Sequence, residues 1–182
     1  IGQQTLPRAA AGKATTLVST VQMGITIGVQ PLLAYNYGAQ NLSRIRAALR
    51  KLTFLTIVVG CSLALVCCLY GKTIVSLFLK EPDALAIGQK MVELLVLTVP
   101  FLGIYYIASS FLQAIGHAKS ASLVSLLRQG IFFVPLLVIM DRFMGQMGNI
   151  WAVILSDIAA ASIAVVIAIW HYNIIKKNFA HN

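Results

Sequence analysis

Long apolar stretches alternate with short polar breaks along this chain. A helix that crosses a bilayer needs roughly 20 mostly apolar residues. Five stretches meet or approach that length: residues 14–37, 52–79, 91–115, 123–140 and 150–170. Lys72 interrupts the outer end of the second, and the fourth, 18 residues long, sits near the lower limit for a span. Turn-forming residues fill the junctions: Gly38 and Asn41, Glu81-Pro82-Asp83, Gly116-His117, and Gly145 to Asn149. No Gly/Ser linker or soluble domain interrupts the series. The pattern predicts an all-α fold, a polytopic membrane helix bundle of about five transmembrane helices. It forms a single membrane domain over residues 1–182, with residues 1–13 as an N-terminal segment.

Composition points the same way. Charged residues make up 10% of the chain, against about 25% in a soluble domain, while 59% are hydrophobic and the mean hydropathy is +0.85. So few charges do not cover a water-facing surface of this size. The formal net charge of +9 does not indicate nucleic acid, because the basic residues lie between apolar runs and form no continuous face with interleaved aromatics. They belong instead beside membrane lipids: Arg44, Arg46, Arg50 and Lys51 crowd one loop, which that charge assigns to the cytoplasmic side. Lys119 and Lys176-Lys177 then share that side. The overall bias is slight, seven Lys/Arg against six, so the orientation rests on this loop. Within it Leu42, Ile45, Leu49 and Leu52 recur at helical spacing, which suits either a short interfacial helix with its cations at headgroups or a plain continuation of the next span. Cys61, Cys67 and Cys68 lie in one apolar run and read as small packing residues, with no metal spacing. The chain opens on Ile1, and its first residues lack the apolar core of a signal peptide. The expectation is that it begins partway through a longer protein.

Polar groups inside spans are costly unless they face protein or water. In the first span Ser19, Gln22, Thr26 and Gln30 fall in one helical stripe, pointing into the bundle or a wet cavity. Gly24 and Gly28 form a GxxxG pair that would let a neighbouring helix come close, and Pro31 predicts a kink near Ile27. In the third span Tyr106, Ser109, Ser110 and Gln113 share a face, with Pro100 one to two turns earlier. An aromatic and amide face suits bulky organic cations; helix–helix hydrogen bonding is the plainer alternative for both stripes. Tyr105 is an interfacial anchor if it faces lipid. Asp157 is the one carboxylate well inside a span, where an ionised Asp costs roughly 2.5–3.5 kcal/mol at the bilayer centre. It is the candidate ion-responsive group, or else a hydrogen-bonding partner for the next helix. Small residues, Ala160, Ala161, Ala164 and Ala168, continue its face as in a tight helix contact. For Arg128 snorkelling to the cytoplasmic interface is the favoured reading, and pairing with a carboxylate in the bundle the sharper one. Glu93 is expected in solvent, and the three histidines sit in loops or near the tail. HExxH, GxSxG, Walker A and dinucleotide motifs are all missing, so no metal, cofactor or catalytic residue is expected.

The run Gly28-Val29-Gln30-Pro31-Leu32-Leu33-Ala34-Tyr35-Asn36-Tyr37-Gly38-Ala39 resembles the motif that closes the eighth helix of the multidrug and toxic compound extrusion (MATE) transporters. Ala108-Ser109-Ser110-Phe111-Leu112-Gln113-Ala114-Ile115-Gly116 is similar to the end of their tenth helix. Arg128-Gln129-Gly130 with Pro135 resembles the eleventh, and Ser156-Asp157 the twelfth. The resemblance implies a protein of twelve helices in two pseudo-symmetric lobes, in the bacterial inner (plasma) membrane, exporting cationic amphipathic compounds by alternating access against H⁺ or Na⁺. This chain would be a partial second lobe, helices eight to twelve, partnered by an N-terminal lobe it does not contain. It departs from the family in lacking a recognisable seventh helix, which residues 1–13 do not replace. Many members carry an ion-coupling carboxylate in the other lobe, so Asp157 does not simply inherit that role. The substrate-cavity candidates are Gln22, Thr26, Gln30, Tyr35, Asn36, Tyr106, Ser110 and Gln113, and Pro31, Pro100 and Pro135 are the expected helix kinks.

Three other readings compete. A lipid-linked oligosaccharide flippase of related architecture needs several buried Arg or Lys to hold a pyrophosphate, and Arg128 alone is available. An intramembrane enzyme needs a catalytic partner for Asp157. A non-transporting, truncated fragment is compatible with the same family.

Overall fold

A computed structural model of the chain describes residues 2–76 and 82–180. Among the described residues seven α-helices follow in order: α1 (Gly2–Gly38), α2 (Leu42–Ser76), α3 (Pro82–Val96), α4 (Val99–Ala114), α5 (Ala118–Leu126), α6 (Phe133–Met144) and α7 (Gly148–Ala180). A π-helical turn, Leu127–Phe132, joins α5 to α6, and a short 3₁₀ turn, Gly145–Met147, joins α6 to α7. Four continuous segments are long and apolar enough to cross a membrane, and the bent pair α3–α4 makes a fifth. This matches the expected all-α bundle of about five spans.

The boundaries differ from the sequence reading in informative ways. Residues 2–13, expected outside the first span, extend α1, and α1 runs as one helix through Pro31. The basic segment at residues 42–51 is a continuation of the second span and not a separate interfacial helix. Its apolar stripe is turned into the bundle: Ile45 and Leu52 are buried, Leu42 and Leu49 half-buried, while Arg44, Arg46, Arg50 and Lys51 point outward. Asn41 caps this helix, its Oδ1 accepting the Arg44 N–H at 3.0 Å.

The third span is broken. Pro100 has no N–H to donate to Val96, so the helix stops at Val96, turns through Leu97 and Thr98, and restarts as α4 with a 45° bend. Thr98 Oγ1 donates to the Leu95 carbonyl at 2.8 Å and so satisfies part of the α3 C-terminus. At its other end α4 closes on Gly116, whose φ of +81° favours glycine. There the His117 N–H bonds the Leu112 carbonyl and the Gly116 N–H bonds that of Gln113, a Schellman motif. Gly145, which ends α6, also has a positive φ, +56°, that favours glycine, and a Cβ at Gly148 would collide with the Met140 carbonyl.

Two apolar cores stack along the bundle. One gathers Val18, Ala64, Met91, Val92, Leu95 and Ile154 from α1, α2, α3 and α7. The other gathers Leu33, Ile45, Phe111, Leu112, Val124 and Ala164 from α1, α2, α4, α5 and α7. Ala160, Ala161 and Ala164 are buried there, and with half-buried Ala168 they form the expected small-residue contact of α7. A polar seam separates the cores where α1, α2 and α4 meet. Gln22, Thr26 and Thr56 are fully buried in it, and Gln22 Nε2 donates to the Val99 carbonyl at 3.2 Å. The close approach of backbones occurs here. A Cβ on Gly60 would strike the Gln22 amide, and one on Gly103 would lie 2.9 Å from Thr56 Cγ2 and 3.0 Å from Gln22 Nε2. The GxxxG expectation is corrected: Gly24 and Gly28 are exposed, and a Cβ on either would meet no atom within 4 Å. A GxxxG pattern permits a close neighbour but does not choose the face that receives one.

Candidate functional site

The span made by α5, the π turn and α6 lies against α7, and neither the π turn nor α6 buries a residue. Pro135 leaves the Ile131 carbonyl without its helical donor, and the widened turn lies directly before it. Arg128 sits in that turn. Its Nε donates to Asp157 Oδ1 of α7 at 2.7 Å, with the Asp side chain 3% exposed and the Arg side chain 18%. The guanidinium carbon also stands 4.9 Å from the Tyr105 ring centroid and 5.9 Å from that of Tyr106, within cation–π range. The snorkelling expected for Arg128 is therefore replaced by a buried ion pair. The guanidinium has a carboxylate and two aromatic faces within reach in the bundle, and its withdrawal would leave the buried Asp157 charge uncompensated.

Tyr105 does not face lipid. It is 4% exposed, and its hydroxyl lies 3.1 Å from Ser125 Oγ. Because Ser125 already donates to the Ala121 carbonyl, the tyrosine is the donor. Asp157 Oδ2 is buried with no hydrogen-bond partner. Asp157 lines a cavity of about 340 Å³ together with Arg128, Gln129, Phe133, Val153 and Ser156. Gln129 also borders a second, larger cavity of about 780 Å³ that includes Gln113, Ser122 and Ser125.

The predicted polar residues separate into three groups. Gln30 and Gln113 come together: Gln30 Nε2 donates to Gln113 Oε1 at 3.4 Å, and Gln113 Nε2 donates to Ser109 Oγ at 3.2 Å. With Gln113 exposed and Tyr106 half-buried, these form a polar wall continuous with the cavities beside Arg128. Gln22, Thr26 and Ser110 are instead buried between helices, and Thr26 Oγ1 turns back to the Met23 carbonyl of its own helix. Asn36 is likewise buried, its Nδ2 donating to the Leu32 carbonyl at 2.7 Å. Tyr35 is exposed and borders a small cavity between α1 and α2 with Arg44 and Lys51, apart from Gln113. Sequence reasoning missed Ser122, Ser125 and Gln129. Their signal was faint: Ser125 and Gln129 lie in the shortest stretch, 123–140, close to Arg128, and Ser122 just before it. Among the described residues no group of three His, Cys, Asp or Glu side chains stands close enough to hold a metal ion, and the three cysteines are free thiols.

This architecture has counterparts. The MatE family model matches residues 9–139. The chain belongs to the MatE family. Among curated relatives, the multidrug export protein MepA of Staphylococcus haemolyticus is 26% identical over 145 residues, covering 80% of this chain and 32% of the relative. MepA of Staphylococcus aureus strain MSSA476 is 29% identical over 147 residues, with the same coverages. The MatE chain thus spans about a third of the length of the curated relatives it matches. Among solved structures, the MATE multidrug transporter DinF-BH aligns with a TM-score of 0.80 at 25% identity, over 89% of this chain and 36% of that one. A MATE transporter in the bent conformation aligns with a TM-score of 0.88 over 96% of this chain and 39% of its own, at 15% identity, a likeness of fold. This MatE chain is accordingly a multi-pass protein of the bacterial inner (plasma) membrane.

Proposed function

We propose that this chain is the second lobe of an exporter that moves cationic, amphipathic organic molecules outward against an inward flow of H⁺ or Na⁺. The observation that carries this reading is the Arg128–Asp157 pair: a buried carboxylate with one oxygen bonded, the other unpartnered, on a cavity next to a polar wall. A carboxylate held this way is a site for exchange. A proton or a sodium ion that neutralises Asp157 removes the charge that holds Arg128, and the guanidinium is then free to leave the Tyr105 and Tyr106 rings. An organic cation competes for the same carboxylate and the same aromatic faces. Gln30, Tyr106 and Gln113 supply the adjacent amide and aromatic surface, and the relatives named above are multidrug export proteins.

Membrane-spanning secondary transport needs a cavity, an ion-responsive group and elements that shift between arrangements. The break between α3 and α4 and the π turn under Arg128 are two places where the backbone has already left regular α-geometry. The flippase alternative gains no support, since Arg128, the basic side chain inside a span, is engaged by Asp157.

The test is transport by the full-length protein in proteoliposomes, with a cationic dye and an imposed H⁺ or Na⁺ gradient. Dye efflux under one gradient is expected, with loss of ion dependence in D157N. No efflux of any cationic dye under either gradient overturns the proposal.

A further inference from the structure

An apolar groove of about 310 Å³ opens on the side of the bundle opposite in character to the polar wall. Three helices line it with one stripe each: Arg46 to Thr53 on α2, Ile104 to Phe111 on α4, and Val165 to Tyr172 on α7. Each stripe covers about two helical turns, roughly 10 Å at 1.5 Å per residue. Helices α2 and α7 both pack on α4 but make no extended contact with each other, so α4 forms the floor and the other two the walls. Phe111 and Ala108 are buried in that floor, whereas Ile169 on the α7 wall is exposed.

The polar groups are not spread evenly. Thr53 Oγ1 is occupied by the Leu49 carbonyl of its own helix. The remaining two, Arg46 and the Tyr172 hydroxyl, belong to the end of the groove where α2 begins and α7 finishes. That end is the level of the membrane surface, because Arg44, Arg50 and Lys51 flank Arg46, and Lys176 and Lys177 follow Tyr172 by about one turn. Arg46 is exposed and has no acidic partner among the described residues. The groove is therefore dry along its length and cationic at its mouth.

We infer that this groove binds one anionic phospholipid of the cytoplasmic leaflet, its acyl chain lying between α2 and α7 and its phosphate on Arg46. Charge complementarity selects this occupant. An alkyl chain matches the apolar stripes, a phosphate matches the unpaired guanidinium, and a phospholipid carries both in one molecule. The bound lipid stands in for the helix contact that α2 and α7 lack.

Native mass spectrometry of the full chain, released from micelles doped with equal phosphatidylglycerol and phosphatidylcholine, tests the inference. One retained phosphatidylglycerol per chain is expected, preferred over phosphatidylcholine by about five-fold, the equivalent of about 1 kcal/mol for one basic residue near the surface. R46Q should bring that preference close to parity, and R50Q, outside the groove in the same basic segment, should keep it. A168W, which fills the groove, should lose the retained lipid whatever its headgroup. Inorganic phosphate at millimolar concentration should not displace the lipid, which distinguishes a phospholipid site from a phosphate site. Equal loss in R46Q and R50Q, or no headgroup preference in the unmodified chain, overturns the proposal. So does full retention in A168W. Arg46 and Arg50 are both exposed, so the comparison of R46Q with R50Q stands even where A168W disturbs folding.

Discussion

Asp157 and Arg128 each meet in the other what the surrounding apolar atoms do not supply. Removing one partner leaves a buried charge uncompensated, which costs about 3–5 kcal/mol, whereas replacing both by apolar groups of similar shape is often neutral or stabilising. D157N and R128Q should each lower the thermal midpoint of the purified protein clearly. D157L/R128M should recover most of the loss. A double variant as unstable as the sum of the singles would show that the two side chains act independently. The same residues illustrate a limit of sequence reading. Asp157 stood out because a lone carboxylate in an apolar span is costly, and Arg128 for the same reason. Their spacing along the chain, 29 residues, says nothing about which faces of two helices meet. The choice between snorkelling and pairing depends on the π turn, and no residue in Leu127–Phe132 announces one.

At the scale of the helix, hydropathy gave about five spans, the number that the described residues also give when the bent pair is taken as one, because lipid solvation rewards continuous apolar length, and Pro100 marked the third span for bending. The ends were read less well. Helices α1, α2 and α7 run on past their apolar windows, since backbone hydrogen bonding continues into the interface while the hydropathy signal stops there. Glycine was the weakest guide. Gly24 and Gly28 fit a packing motif yet face outward, while Gly60 and Gly103, one on each of two helices, carry the close approach around Gln22. A motif on one helix is local information, but a contact needs two surfaces. The difference is measurable. G103A should cost about 1–3 kcal/mol, as expected of overpacking, because Thr56 and Gln22 must both shift. G24A should be neutral or slightly stabilising, given the helix propensity of alanine. Equal effects of the two in a denaturation or melting series would contradict the packing described here.

For the molecule as a whole, the distribution of polarity is the organising fact. Two apolar cores are joined by a thin polar seam at Gln22, Thr26 and Thr56, a polar wall runs from Gln30 through Gln113 to the Arg128 cavities, and a dry groove lies elsewhere on the bundle. The candidate site was legible in part. Gln30, Tyr106, Gln113 and Asp157 were visible as polar residues in costly places. Helix–helix hydrogen bonding was open as the plainer alternative for both stripes, but which members would take it was not legible: Gln22, Thr26 and Ser110 are buried between helices, and a helical stripe about 100° wide includes both the residues that pack and those that open on a cavity.

The α5–α6 span has a separate consequence for how the protein is made. It buries almost nothing against the rest of the bundle, and it carries a guanidinium whose counter-charge arrives only with the next helix. A nascent chain that has emerged only as far as Met144 presents the membrane with an unneutralised arginine, a penalty of about 2.5–3.5 kcal/mol at mid-bilayer on insertion scales. Once α7 follows, the two segments form a hairpin whose charges cancel. These spans should accordingly enter the bilayer as a pair. A glycosylation-reporter assay on chains truncated after Met144 should show incomplete insertion that R128L corrects, and that extension through α7 corrects equally well.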